Sequence, residues 1–565
     1  VTDVFQGYNH RLKIADGEFY DTQNLTTSYY PLLANRKKRG TVHHFVDFQG
    51  MASLNDKLAY IDDKVLYYDG LETPVRVTTG DKQLVTFGAY ICVFPDCVYY
   101  NTVDSADYGP MAARLSLSGV ALEYRMCNAD GVEYGTATKA ESAPESPADG
   151  QLWIDTKYNK LCQWSVSTTT WVNLTNVYTK IIFPELPEGS RPSDKFRKLD
   201  GVTITGSSIE GVNGSKILYS VGENYVVVVG ILDNVLTQPD ANISIYQVVP
   251  KMDFVIECQN RLWGCYYGKN DTGTTINEIY CCALGDFRNW NRFMGISTDS
   301  YIASVGTEGP WTGAINYLGY PTFFKENFIH RVSVSAAGAH QIMDTPARGV
   351  QKGSAKSLAI INETLYYKSR EEVCAYQGGF PSGISQALGD LKYGSAVGGA
   401  LGDKYYLCMA DASGAYSLFA VDVAKGLWIR EDDLHCEAMV RANGELYAAS
   451  DSVLYSMTGA EGVLEGSVPW FAESGIMYYE YPDKKYISRY NLRLKMEKNS
   501  RLKIFIEYDS DGTWLPSGEI YFSGTGTVTV PIRPRRCDHM RLRLEGRGMF
   551  RLFSMARVLE VGSDY

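Results

Sequence analysis

KLAYIDDKVLYYDG (Lys57 to Gly70), ETLYYKSREEVCAYQGG (Glu363 to Gly379) and GELYAASDSVLYSMTG (Gly444 to Gly459) share one design. Each is a run of β-branched or aromatic residues, a turn built on Gly, Asp or Asn, and a second such run. Such pairs read as β-hairpins, because aromatic and branched side chains suit a pleated surface while the turn residues accept positive φ. KILYSVGENYVVVVG (Lys216 to Gly230), RLWGCYYG (Arg261 to Gly268) and DKYYLCMADASGAYSLFAVD (Asp403 to Asp422) repeat the figure. Recurrence every few dozen residues predicts a repeating sheet architecture.

Composition agrees. With 41 Tyr and 53 Gly in 565 residues, and few long helical patterns, the chain reads as all-β. Its length predicts two or three domains, and 45% hydrophobic residues suffice to bury their cores. No apolar stretch approaches the roughly 18 residues of a membrane span. The opening residues, VTDVFQGYNHRLK, carry no signal-peptide core, so standard export is not expected. Of the twelve Cys, Cys92, Cys258, Cys265, Cys281, Cys282 and Cys408 sit in strand-like runs and read as reduced core residues of a cytosol-made protein. A net charge of −11 argues against a general nucleic-acid binder.

The pattern divides the chain into four parts. Residues 1–40 read as an extended N-terminal arm, ending in the basic run Arg36 to Arg39. Residues 41–466 read as a β-propeller of about six blades, with seven possible because the insertion hides one boundary, since radial repetition leaves only short sheet edges; a β-sandwich array is the second reading. Within it, 138–178 is a small inserted β-module with three tryptophans, Trp153, Trp164 and Trp171, after which the repeats are expected to resume near Lys180. The tryptophans are expected to form the module's core; stacking on a sugar is the other reading. Residues 467–565 alternate strictly and read as a jelly-roll-like β-sandwich. There MRLRLEG puts Arg541 and Arg543 on one face and Leu542 and Leu544 on the other. With Arg533, Arg535 and Arg536 these arginines form either a solvated face or a docking surface for an acidic partner.

Chemistry is sparse. The seven His are dispersed, and the only adjacent pair, His43–His44, points to opposite faces of a strand. No metal-ligand spacing, nucleophile elbow or phosphate loop occurs; GGALGDK (Gly398 to Lys404) reads as a strand turn. Because glycosidases work with paired carboxylates, Asp62–Asp63, Glu371–Glu372 and Glu431–Asp432–Asp433 are the candidates; the first two lie at hairpin turns, where such residues serve solubility, and none is expected to be catalytic. No catalytic, cofactor-binding or metal-binding residue is expected, and the chain is expected not to be an enzyme.

The order of motifs resembles the tail hub and nozzle proteins of tailed bacteriophages and prophages. FYDTQNLTTSYYPLLANRKKRG supplies the D-x-x-N core (Asp21, Asn24) and the Y-P-x-L-x-x-R-x-x-R-G ending (Tyr30, Pro31, Leu33, Arg36, Arg39, Gly40). EGPWTGAINYLGYPTFFKENFIHRV (Glu308 to Val332), YQGGFPSGISQALG (Tyr376 to Gly389), KGLWIRED (Lys425 to Asp432) and the MRLRLEGRG ending follow in order, and 138–178 resembles a module of phage tail and fibre proteins. The resemblance implies a structural virion protein of the tail or neck, made in the host bacterial cytoplasm. It implies a ring homo-oligomer, commonly a hexamer, around the DNA channel between portal or adaptor and distal tail. Genomic DNA would pass without sequence-specific binding, no membrane or cofactor would be needed, and the arm (Asp21, Asn24, Tyr30, Pro31, Arg36, Arg39) would embrace a neighbouring subunit. A tail protein that binds or degrades host-surface glycans is the alternative.

Overall fold

The computed structural model describes residues 1–230, 236–270, 272–335, 339–479 and 484–561. It is 54% strand and 2% helix, an all-β chain as expected. Asn55–Asp56, Leu318–Gly319, Asn362–Glu363 and Asn443–Gly444 each place two successive residues at positive φ. That is the backbone of a type I′ turn, whose twist matches that of the strands it joins.

Among the described residues six four-stranded sheets, over residues 48–76, 83–110, 254–304, 313–346, 359–383 and 393–432, and then a five-stranded sheet that begins at residue 438 follow one another along the chain. The seventh takes Gly40–His44 from near the N-terminus between its third strand and the short Val463–Leu464, with Val453 opposite His44 and Ser456 opposite Gly40 on one side and Leu464 opposite Gly40 on the other. Against the expected count of about six, with seven possible, the series has seven sheets among the described residues. The shortfall has a physical cause: the closing strand lies about four hundred residues from its partners, beyond what local pattern reports.

The repeats do not resume at Lys180. A seven-stranded sheet separates the second and third four-stranded sheets, in the order Gly214–Ile217, Gly201–Thr205, Leu236–Tyr246, Arg114–Cys127, Tyr178–Ile182, Tyr225–Val229, Ser220–Val221. Lys216 to Gly230, read above as a repeat hairpin, belongs to this sheet. The small sheet Ala137–Ala140, Leu152–Asp155, Lys160–Ser165, Thr170–Asn173 sits within the same stretch of chain; its first pair is parallel and the rest antiparallel.

The chain forms two compact units, one of residues 1–86, 307–333 and 342–565, the other of 87–306 and 334–341. Within the first unit successive sheets share apolar cores. Tyr317, Phe324 and Ile329 of the fourth meet Leu365 and Tyr367 of the fifth. Ile361 and Tyr366 of the fifth meet Tyr405 and Leu407 of the sixth. Cys408 and Leu418 of the sixth meet Leu446 and Ala448 of the seventh, and Tyr447 and Leu454 of the seventh meet Leu58 and Tyr60 of the first. In the second unit Leu117, Tyr124, Ile181, Val226 and Ile243 centre the core of the seven-stranded sheet.

Residues 469–561 supply seven strands to two further sheets, one of six strands and one of five, which share a single core around Trp470, Tyr490, Leu492, Ile504 and Leu552. Both sheets recruit the N-terminal residues, and this corrects the expected arm. Glu18–Gln23 pairs with Pro469–Ser474, with Thr22 opposite Ala472. Leu33–Asn35 pairs with Phe550–Val561, with Leu33 opposite Leu552. Phe5, Phe19, Leu25 and Leu33 are buried in the shared core. Burying such side chains stabilises by about 1.5–3 kcal/mol each, which holds the segment against these two sheets. All twelve Cys are unpaired, eleven of them buried. Among the described residues no helix is long and apolar enough to cross a membrane.

Candidate functional site

Four residues, Arg36 to Arg39, connect strand Leu33–Asn35 of the five-stranded sheet to strand Gly40–His44 of the seventh sheet. An extended connector so short can turn side chains inward only if their polar groups are met. Both arginines are buried. Arg39 donates from Nη1 to Oδ2 of Asp432 at 2.6 Å and from Nη2 to Oε2 of Glu431 at 2.9 Å. Its backbone N–H donates to Oε1 of Glu465 at 2.7 Å. Arg36 donates from Nη1 to the same Glu465 oxygen at 2.5 Å, and its Nη2 lies 3.5 Å from Oδ2 of Asp432. Glu431 and Asp432 end the last strand of the sixth sheet, Leu427–Asp432.

Asn24 completes the cluster. It sits at φ 54°, a left-handed conformation Asn tolerates well. Its Oδ1 accepts from Nε of Arg36 at 2.6 Å, its Nδ2 donates to the Pro469 carbonyl at 2.8 Å, and its backbone N–H donates to the Glu431 carbonyl at 2.5 Å. Thr22 exchanges two hydrogen bonds with the Arg430 backbone, both 3.0 Å, and Asp21 lies 3.4 Å from the Arg430 guanidinium. Thr27 donates to Asp422 at 3.1 Å, while Nζ of Lys404 donates to the hydroxyls of Thr26 at 2.7 Å and Ser28 at 2.8 Å. A cavity of about 360 Å³ beside these contacts is lined by Thr26, Ser28, Lys37, Lys404, Asp422 and Lys425 among others.

Burial by itself would push the Asp432 carboxyl up, but Arg39 and then Arg36 outweigh it and hold it below the ordinary carboxylate range. Burial likewise disfavours the Arg39 charge, and Asp432 and Glu431 more than restore it. Desolvating charges costs several kcal/mol each unless they are paired and hydrogen-bonded; here the pairing is reciprocal. The arrangement ties the N-terminal segment to the sixth sheet, the seventh sheet and the C-terminal sheets at once.

Four of the six motif residues therefore converge: Asp21, Asn24, Arg36 and Arg39. Tyr30 and Pro31 do not join them. Tyr30 is exposed, and the cis Tyr30–Pro31 pair serves a turn whose Pro31 carbonyl accepts from the Phe5 N–H at 3.0 Å. Glu431 and Asp432, weighed above only as a carboxylate cluster, are buried partners of arginine. Glu465, Asp422 and Lys404 were missed, since nothing local marks a residue whose partner is hundreds of positions away. Of the other carboxylates weighed, Asp62 is buried, accepting from the Val46 and Asp47 N–H groups at 2.8 and 3.0 Å and lying 3.0 Å from His43. Glu372 pairs with Arg348 and the exposed Glu371 lies 3.9 Å from Arg370. Among the described residues no group of three or more His, Cys, Asp or Glu is placed to hold a metal ion.

The five C-terminal arginines separate into two groups. Leu542 and Leu544 are buried, so Arg541 and Arg543 share the opposite face. Their charge is met within the chain: Arg541 pairs with Glu473 and, at 3.1 Å, with Glu507, and Arg543 pairs with Glu545 at 2.7 Å and stacks over Phe471. Arg533, Arg535 and Arg536 lie exposed on the connection before that strand, with Arg535 lying 3.3 Å from Asp511.

Trp153, Trp164 and Trp171 contact one another edge to face, with Trp171 in the middle and centroids 5.4 and 5.5 Å away. They are not the module's core, and that expectation is corrected. Ala137, Leu152, Ile154 and Leu161 pack into the core of the second unit. Trp153 lies opposite Cys162, and Trp164 opposite Trp171, so strand alternation puts all three indoles on the other face.

No protein-family model matches the chain, and no curated protein does. Solved structures that resemble it include an exo-β-1,3-galactanase from Phanerochaete chrysosporium, 8% identical over 53% of this chain and 94% of that one, TM-score 0.20. Trypanosoma rangeli sialidase is 9% identical over 99% and 96%, TM-score 0.23. An arabinoxylan arabinofuranohydrolase from Bacillus subtilis is 9% identical over 79% and 95%, TM-score 0.16. The expectation that the chain is not an enzyme is corrected here: the solved structures that resemble it include glycoside hydrolases, a sialidase and a peptidase. Likenesses this low carry no argument about a substrate or a reaction.

Proposed function

We propose that the chain is a rigid scaffold of a bacteriophage tail or neck, a nozzle or hub subunit that assembles as a ring around the DNA channel. In this reading the seven sheets of the repeating series, six of four strands and one of five, are the blades of a β-propeller, and the two C-terminal sheets form a β-sandwich. The propeller reading is supported by the cores that successive sheets share within the first unit, from fourth to fifth, fifth to sixth, sixth to seventh, and from the seventh back to the first.

One observation carries the functional reading. The residues on which the phage resemblance rests most directly, Asn24, Arg36 and Arg39, lock the N-terminal segment to the sixth sheet and to the C-terminal sheets. A conduit subunit needs such fixed geometry between parts. Since the N-terminal segment is folded into its own chain, ring contacts with a second copy, commonly sixfold, fall to other surfaces. The exposed Arg533, Arg535 and Arg536 suit an acidic neighbour among the portal, adaptor or tail proteins. A net charge of −11 lets DNA pass a lumen without gripping it, because carboxylates repel phosphate.

Cryo-electron microscopy of phage particles carrying a labelled copy of this chain tests the proposal. A ring of label on the tail axis supports it; label absent from the particle, or confined to its outside, overturns it.

A further inference from the structure

We propose that the outer face of the small sheet, centred on Trp164 and Trp171, binds an uncharged oligosaccharide. The proposal does not rest on the tail assignment; it rests on this face alone.

Register decides which side is available. The sheet spends Ala137, Leu152, Ile154 and Leu161 on the core beneath it, so the tryptophans are not needed to hold it down. Trp153 is buried, and its Nε1 donates to the Ala140 carbonyl at 2.9 Å. Trp164 and Trp171 remain half-buried, and their indole N–H groups make no hydrogen bond among the described residues. A large aromatic with an unspent donor at a surface is the profile of a contact residue rather than a filler. The planes of Trp164 and Trp171 meet at 62°. They form an open angle in which one ring can lie under a flat ligand while the other closes its edge.

The same face carries amides and a hydroxyl. Thr138 lies opposite Trp153 and shares its side of the sheet. Gln151 precedes Leu152 and so falls on the tryptophan side, with its Nε2 3.4 Å from the Thr138 hydroxyl. Asn173, two residues beyond Trp171, is exposed and its amide makes no hydrogen bond among the described residues. The face also holds the Asp155 and Lys160 pair. Asp155 is taken up by the backbone N–H groups of Lys157 and Tyr158 at 3.0 and 3.2 Å, and the Lys160 ammonium sits over the Tyr158 ring. What faces outward is thus aromatic surface with neutral donors and acceptors.

That combination fits a pyranose. Its C–H face packs on an indole through dispersion, and its adjacent hydroxyls can each give and take a hydrogen bond with a side-chain amide, which has two donors and an acceptor. A protein partner would want a broader apolar patch with charged residues kept out to a rim, and an acidic glycan would want a planar guanidinium fork, whereas the cations here, Lys157 and Lys160, lie over the Tyr158 ring.

Affinity electrophoresis of the full chain through native gels containing dextran, laminarin, galactomannan or, as an acidic probe, alginate tests the proposal. At least one neutral polysaccharide is expected to retard the protein. Trp171→Ala is expected to weaken that retardation at least tenfold and Trp171→Phe less. Asn173→Ala, at an exposed position whose side chain makes no hydrogen bond among the described residues, is expected to weaken it about threefold with unchanged folding. If Trp171→Ala does not fold, the Phe and Asn173 variants still decide. Passage unretarded through every neutral gel, retardation by alginate alone, or equal retardation of wild type, Trp171→Phe and Asn173→Ala overturns it. None of these outcomes bears on the scaffold reading, which the particle experiment tests separately.

Discussion

Nη1 of Arg39 lies 2.6 Å from Oδ2 of Asp432, a contact that spans 393 positions of sequence. Both residues are buried, so each depends on the other for its charge. Through Asn24, which bonds Arg36, Pro469 and the Glu431 backbone, the same cluster fixes the N-terminal segment against two sets of sheets.

Replacing Arg39 with Met leaves Glu431 and Asp432 facing a dry interior with one cation fewer. Breaking a buried pair from one side costs about 3–5 kcal/mol, and chemical denaturation of the Arg39→Met protein is expected to show a loss of that order. Adding Glu431→Gln and Asp432→Asn to it is expected to recover part of the loss, because the orphaned charges are then gone. A triple variant no more stable than Arg39→Met alone would contradict the pairing.

Acid weakens the same contact. Asp432 is held below its unfolded value, so its contribution is complete above the unfolded carboxylate range and disappears as pH falls through the folded value. Asp432→Asn is expected to be less stable than wild type at neutral pH and to lose less on acidification, read from denaturation midpoints at stepped pH.

His330 titrates in a higher window. It is fully buried between Trp311 and the Lys325 side of its sheet, and burial, reinforced by the Lys325 charge, pulls its imidazole down to about 4. Between about 6.5 and 4 the unfolded chain takes up a proton that the folded chain refuses, so stability falls with pH across that window. The loss amounts to roughly 3 kcal/mol in all. His330→Gln is expected to flatten the slope between pH 6.5 and 4 in a urea-denaturation series; an unchanged slope would assign it to other groups.

Gly40 begins the strand that completes the seventh sheet, and a Cβ there would collide with the Glu461 carbonyl oxygen. Since that obstacle is backbone, Gly40→Ala is expected to destabilise by about 1–3 kcal/mol, with faster proteolysis within residues 36–46. Gly70→Ala is the comparison: its Cβ would meet nothing, and only its φ of 75° resists.

The hairpins were legible because each is local: Lys57–Asp62 and Val65–Tyr68 are joined by the Asp63–Lys64 turn, and the alternation of their residues reports the pairing directly. Strand Gly40–His44 was not legible as a partner of Val453–Ser456, because loop closure over such a distance leaves no trace in neighbouring residues. Lys216 to Gly230 misled for the opposite reason. It carries hairpin signals as good as any repeat, yet its strands fill a different sheet. The site was half visible: Arg36 and Arg39 stood out as a motif and Glu431–Asp432 as a carboxylate cluster, but nothing in either run said that they meet. The tryptophans were read as a core because the small module was treated as free-standing, whereas Leu152, Ile154 and Leu161 draw on a core built by residues before and after it.

Hydrogen exchange on the purified full-length chain in dilute solution, read by mass spectrometry, tests most directly whether the N-terminal segment is part of the scaffold. Peptides covering Glu18–Gln23 and Leu33–Asn35 are expected to exchange as slowly as their partners Pro469–Ser474 and Phe550–Val561, and Arg39→Met is expected to release residues 18–44 first. Complete exchange of residues 18–35 within seconds, with the C-terminal strands still protected, would contradict it.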